Sequence, residues 1–357
     1  MIPILYESNE TDFKSNGLGR LRDCISCKVT EERNGAYECE FEYPVNGQNF
    51  EKIRYGRIIA AEHDHSTDIQ PFDIVSSSKP INGIVKYRAV HISYRQSKIT
   101  VAGSNINSLA AALAMLKNNA SPSNPFTYLT DKTVTGFMSS ADGVPKSVRS
   151  MLGGIEGSIL DAYGGEYEWD KFTVKLLNAR GEDRNATVRY RVNLLDYNDD
   201  TDFSDVYTAC VPYWVGSDAN GNPLTVKAPM VSSGLPGYTD RTDCVPLDLS
   251  EKFETQPSAA QLQSSAISYM NSNQTNLPTQ SIRVNFVRLQ DSKEYSEYGA
   301  LFYCRLCDTI KVVFPQYNMN GRFKVVKTIY DTLLERYESM ELGSPSITLS
   351  QALGLSK

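Results

Sequence analysis

Polar and apolar residues alternate with a period of two over much of the first hundred residues, the pattern of half-buried strands. Between Ile25 and Tyr43 it is sharpest. Ile25, Cys27 and Val29 alternate with Ser26, Lys28 and Thr30; after Arg33-Asn34-Gly35, Tyr37, Cys39, Phe41 and Tyr43 alternate with Glu38, Glu40 and Glu42. A two-residue Asn-Gly loop would set Lys28 opposite Phe41 and send the two apolar rows to opposite faces. A three-residue loop pairs Val29 with Cys39, Cys27 with Phe41 and Ile25 with Tyr43, and sets Lys28 against Glu40. The three-residue loop is therefore predicted, with Gly35 left-handed as a bulge. Further strands are predicted near Arg57–Ala61, Phe72–Ser76, Tyr87–Tyr94 and Lys98–Ala102.

After Gly103 the period changes. Asn107 is placed to cap a helix through Ser108–Leu116, and further helical stretches surround Lys146–Met151 and Glu156–Tyr163. Tyr167–Trp169 and Phe172–Leu176 read as a hairpin turning at Asp170-Lys171. Strands return at Val188–Val192 and Val206–Tyr213, and the loop Gly216–Pro223 is expected to be exposed. A helix is predicted over Ser258–Asn271, with Leu262, Ala266, Tyr269 and Met270 on one face. Ser281–Leu289 and Thr309–Phe314 read as strands. Arg322–Leu342 fits both periods: Tyr330, Leu333, Leu334 and Tyr337 suit a helix, Phe323 and Val325 a strand.

A chain of 357 residues exceeds one ordinary core and divides into domains. Hydrophobic residues at 41% and charged residues at 22% are those of a globular protein. The 21 tyrosines suit half-buried sheets and wet interfaces. A net charge of −6 argues against a surface built to grip nucleic acid. The N-terminus lacks the basic and apolar regions of a signal peptide, and no apolar run approaches a membrane span, so a soluble chain made in a cytoplasm is expected. The seven cysteines are expected to be reduced and mostly buried.

The candidate chemistry weakens on inspection. Cys24/Cys27 and Cys304/Cys307 are both C-x-x-C pairs, able in principle to build a zinc site. They lie most of the chain apart, in strand-like segments where positions i and i+3 face opposite ways. His63-Asp64-His65 offers two metal ligands and no evident third, and reads as a solvated loop. His91 reads as a satisfied structural residue within a strand. Asp196–Asp202 begins like a calcium loop, then has Thr201 where glycine is required and Tyr207 where glutamate is required; it reads as a solvated acidic loop. Gly153-Gly154 and Gly164-Gly165 match no nucleotide fingerprint. No catalytic, cofactor-binding or metal-ligating residue is assigned.

Several strings, in order, resemble the siphophage and prophage tail-tip hub family. They include Glu31–Glu38 with Phe41–Pro44, Gly56–Ile59, Gln70–Phe72 and His91–Tyr94. Gly157–Asp161 with Gly164–Glu166, Arg180-Gly181, Arg189-Tyr190, Tyr330-Asp331, Leu334–Tyr337 and Glu341–Gly343 follow. The resemblance implies a mainly β fold with α+β insertions, similar to the hub of contractile tails: two related β-barrel domains plus two smaller domains. Residues 1–102 would form the first barrel, 103–182 an α+β insertion, 183–250 with 281–345 the second barrel, 251–280 the helical part of a small insertion, and 346–357 a C-terminal tail. It also turns Arg322–Leu342 into two strands. It implies a virion structural protein at the tail tip that forms a homotrimeric ring continuing the tail tube. Its partners would be the distal tail protein, other tip subunits and the tape-measure protein, with DNA crossing the lumen without specific binding. No cofactor and no membrane insertion are implied. Two alternatives stand beside it: a tail-associated peptidoglycan hydrolase whose catalytic part is missing or unrecognised here, and a receptor- or carbohydrate-binding module.

Overall fold

The computed structural model describes residues 1–66, 68–78, 82–102, 105–139, 144–155, 157–189, 194–218, 221–234, 241–253, 255–273, 275–286, 304–314 and 319–343. The expected tail, 346–357, and parts of the strands expected at Val188–Val192 and Ser281–Leu289 lie outside them. The fold is mainly β with α+β insertions, in two compact units. One comprises Met1–Asn198 and the chain from Ile282 onward; the other is Asp199–Ser281.

Seven strands open the first unit: β1 (Ile4–Tyr6), β2 (Gly19–Arg20), β3 (Ser26–Glu32), β4 (Tyr37–Pro44), β5 (Ile58–Glu62), β6 (Ile69–Ser77) and β7 (Ile84–His91). They run in the order β3-β4-β7-β6-β5-β1-β2. The β3–β4 register is the predicted one, Cys27 to Phe41, Lys28 to Glu40 and Val29 to Cys39. The loop encloses three residues, with the Glu32 amide donating to the Ala36 carbonyl at 2.8 Å. Two details differ. Ile25 lies just before β3 and is 50% exposed, because the chain bends there. The left-handed residue is Asn34 (φ 57°), not Gly35. Asparagine tolerates that region, and here its carboxamide has partners: Nδ2 donates to the Gly165 carbonyl at 3.0 Å and Oδ1 accepts from the Tyr167 amide at 2.8 Å. The hairpin tip is thus pinned to the α+β segment. Asn34→Gly keeps the backbone and removes both bonds; urea unfolding is expected to show a loss of about 2 kcal/mol.

Three helices of this unit follow the serine-capping logic more closely than the predicted boundaries. In α1 (Leu109–Asn118), Ser108 rather than Asn107 accepts from the Ala111 amide. Ser147 and Ser158 cap α2 (Val148–Leu152) and α3 (Ile159–Tyr163). The hairpin Glu166–Asp170/Thr173–Leu177 turns at Lys171-Phe172, one residue later than expected. Apolar residues of α1, α2, α3 and this hairpin share one core with β3, β4, β6 and β7.

Arg322–Leu342 resolves into the strands Met319–Asp331 and Arg336–Gly343. The first is long enough to serve two partners on one side. Its beginning pairs with Thr309–Phe314, and its end pairs with β3, from Lys327 opposite Glu32 to Asp331 opposite Lys28. Segments expected as two separate barrels therefore contribute to one 13-stranded sheet. Asp196–Asp202, expected as a loop, lies within the strand Leu194–Asp202 of that sheet.

The second unit is a four-stranded sheet centred on Ala209–Ser217, covered by α4 (Ala259–Asn273). Cys210 and Trp214 meet Leu262, Ala266 and Met270 in its core. Tyr269, expected on that face, is 38% exposed; the buried stripe runs at i, i+4 and i+8 and leaves it outside.

Candidate functional site

The inward row of β3 is Cys27, Val29 and Glu31. The apolar alternation that predicts this strand thus ends on a carboxylate facing the core. Glu31 is 2% exposed. One oxygen accepts from Arg180 Nη1 at 2.6 Å; the other lies 3.3 Å from His63 Nδ1. The imidazole's far nitrogen is 3.9 Å from Asp64, whose other oxygen is 3.4 Å from Arg305 Nε. Below Arg180, its backbone amide donates to Glu166 at 2.8 Å, and Glu166 also takes Lys324 at 2.5 Å and Arg33 at 3.3 Å. One chain of alternating charges thus joins β3, the segment after β5, the α+β hairpin, the turn at Arg305 and the strand Met319–Asp331.

Burial alone would push these carboxyls up and the imidazole down. The neighbours win. Burial raises Glu31, yet Arg180, reinforced by His63, brings it down to about 2. Burial lowers His63, yet Glu31 and Asp64 raise it above its ordinary value. Asp64 and Glu166 are lowered, against burial, by His63 and Lys324 respectively. Such fixed charges, each answered by another, tie segments together.

A second knot lies beside it. Asp308 is 2% exposed and accepts from the Glu182 amide at 2.8 Å, Arg184 Nε at 2.9 Å and the Arg305 amide at 2.9 Å. Gly181 fits here because a Cβ would stand 2.1 Å from the Cys307 carbonyl. On the surface, Asn16, Leu18, Gly19, Arg20, Arg22, Gln48 and Asn49 line an open polar depression of about 350 Å³.

The remaining candidates fall into separate places. Cys24 and Cys27 contact each other, and Cys27 Sγ is 3.7 Å from Cys39 Sγ. Cys24 lies before β3, so the strand rule for positions i and i+3 does not apply to it. Cys304 and Cys307 sit in a turn, not a strand, and belong to a different core cluster. Among the described residues no group of three or more His, Cys, Asp and Glu could hold a metal. His63-Asp64-His65 is not a solvated loop: His63 and Asp64 are 9% and 8% exposed, and His65 packs edge-on against Tyr330 and Tyr337. His91 ends β7 fully buried, its Nδ1 accepting from the Ser93 amide at 3.3 Å and its ring stacked on Tyr37. Burial holds its pKa near 3. Gly153 and Gly164 close α2 and α3. No described helix is long and apolar enough to cross a membrane.

No protein-family model and no curated protein sequence matches this chain. Solved structures do. The prophage tail protein gp18 of Listeria monocytogenes EGD-e matches with a TM-score of 0.63 at 16% identity, over 100% of this chain and 98% of that one. A tail protein of Neisseria meningitidis MC58 matches at 0.61 and 10% identity, over 98% of each chain. The prophage MuSo2 43 kDa tail protein of Shewanella oneidensis matches at 0.61 and 8% identity, over 96% and 98%. At such identities the likeness is one of architecture, and it runs the length of both chains: this protein has the fold of the prophage tail proteins.

Proposed function

We propose that this chain is a structural subunit of a phage or prophage tail tip, a hub whose copies close into a trimeric ring that continues the tail tube. The observation that carries this reading is the fold likeness to three tail proteins over nearly the whole of each chain. The buried charge chain supports it, since a subunit under mechanical load benefits from segments that cannot slide. Each copy would supply two barrel-like regions to the ring, so three copies would supply six. Its neighbours would be the distal tail protein, other tip subunits and the tape-measure protein, with DNA crossing a lumen that does not bind it. The role is architectural and not catalytic.

Light scattering is expected to give three times the mass of the 39.8 kDa chain, with rings in negative stain. A stable dimer or a linear filament would sink the reading. In a cell-wall gel the purified protein is expected to leave peptidoglycan intact; a cleared zone would establish a hydrolase instead.

A further inference from the structure

Strand β2 and the residues after it carry two arginines that no carboxylate answers. Leu21 is fully buried, and its amide extends the ladder by donating to the Pro3 carbonyl at 2.9 Å. In extended chain, alternate side chains leave on the same side. Arg20 and Arg22, on either side of Leu21, therefore share the outer face, and both are exposed. Two residues of strand set their backbones about 6.6 Å apart, so both guanidiniums can close on one group. Arg20 Nε donates to Asn16 Oδ1 at 3.3 Å; among the described residues the rest of that guanidinium, and all of the Arg22 guanidinium, have no partner. Carboxylates are not scarce in this unit: Arg57, Arg88 and Arg95 hold those of Glu7, Glu38 and Asp73. Asp23, next to Arg22, turns its carboxylate to the Gln48 amide at 2.6 Å.

Both arginines line the open depression of about 350 Å³ described above, a volume within the range of small-ligand sites. Its other polar side chains are the carboxamides of Asn16, Gln48 and Asn49; among the described residues no carboxylate and no aromatic ring lines it. The wall that bears Gln48 and Asn49 is fixed in place. The Tyr43 hydroxyl donates to the Gln48 carbonyl, and Asn49 is left-handed (φ 69°). A Cβ on Gly19 would stand 2.9 Å from Asn49 Nδ2, so the glycine leaves that carboxamide its position. The Gln48 carboxamide has no partner among the described residues.

A guanidinium presents its N–H groups in a fork that matches the oxygens of a phosphate or a carboxylate. A carboxamide offers both a donor and an acceptor, the complement of a hydroxyl. Two forks side by side select an oxyanion, and the carboxamides beside them select hydroxyls on the same molecule. A neutral sugar would leave both charges unanswered and would find no ring to lie on. We propose that this depression binds an anionic polyol, a hydroxylated unit that carries a phosphate or a carboxylate, with Arg20 and Arg22 on the oxyanion and Gln48 and Asn49 on the hydroxyls. Every residue of the site comes from one chain, so it stands independently of the ring.

The test is titration calorimetry of the purified full chain with two probes, sn-glycerol 3-phosphate and D-glucuronate. Inorganic phosphate and acetate supply the bare oxyanions, and glucose the hydroxyls alone. One probe is expected to bind at least tenfold tighter than its own bare oxyanion, and the probe that does so identifies the oxyanion as phosphate or carboxylate. Arg22→Gln and Arg20→Gln are each expected to weaken that probe at least tenfold. Both side chains are exposed, so the melting temperatures should stay within a few degrees of the parent, which guards against a variant that merely misfolds. No binding of either probe would overturn the site. So would a bare oxyanion or glucose that binds as tightly as the better probe, or folded variants that bind it as the parent does. The ring is read separately, by light scattering, and a chain that stays monomeric leaves these titrations unaffected.

Discussion

Replacing Arg180 by alanine is expected to destabilise the protein by about 3–5 kcal/mol, because it leaves a buried carboxylate without its main partner. Glu31 would keep only His63 at 3.3 Å. With net stabilities of about 5–15 kcal/mol typical of folded proteins, such a loss is close to disabling. The loss should also depend on pH, with a definite sign. The Glu31 carboxyl is held at about 2 in the fold against 4.5 ordinarily. Its contribution is therefore present in full above pH 4.5 and disappears as pH falls through 2. His63 is raised above 6.5, so its contribution is complete below pH 6.5 and declines as pH rises through the folded value. Parent stability is expected to be greatest between these limits. In Arg180→Ala the Glu31 pKa rises, and the acid limb should move to higher pH. Urea titrations from pH 3 to 9 would show both effects. The double variant Glu31→Gln/Arg180→Met, which removes both charges, should recover most of the loss. If the single and double variants are equally unstable, the residues act through packing and not through charge.

Gly181→Ala is the second large effect, about 3 kcal/mol, at the upper end for overpacking. The added methyl would lie 2.1 Å from the Cys307 carbonyl carbon and oxygen and 2.4 Å from the Asp308 amide. All three are backbone atoms, so no side chain can rotate away. The Asp308 knot that joins Glu182, Arg184 and Arg305 should open with it. The expected result is a lower urea midpoint, together with protease cleavage near residues 180–184 that the parent resists. A midpoint within 0.5 kcal/mol of the parent would mean that the two segments are not in fixed contact.

The β3–β4 hairpin was legible because both strands alternate and only one loop length sends both apolar rows to the same face. Glu31 shows where that reading stops short. Its place on the inward row follows from the alternation, but Arg180 and His63, which make a buried carboxylate tolerable, come from distant segments. For the same reason His63-Asp64-His65 looks solvated in sequence and is not. Polar residues are buried when partners exist, and partners are a property of the fold. Asp196–Asp202 failed differently: an acidic run resembles a loop, while strand pairing depends on neighbours that local composition does not record. The C-terminal strands were ambiguous by periodicity, and family resemblance decided them correctly.

The pairing of β3 with Met319–Asp331 also bears on how the protein is made. On the ribosome, β3 and β4 emerge early and can zip together at once. The other edge of β3 then waits until nearly all of the chain has been synthesised. For that interval it offers unpaired amides and carbonyls to any strand nearby, including the same edge on another nascent chain. Contacts that span so much sequence also form slowly. Yield should therefore suffer from crowded, rapid expression more than from the stability of the finished fold, and slower synthesis at low temperature is the condition that favours the correct seam.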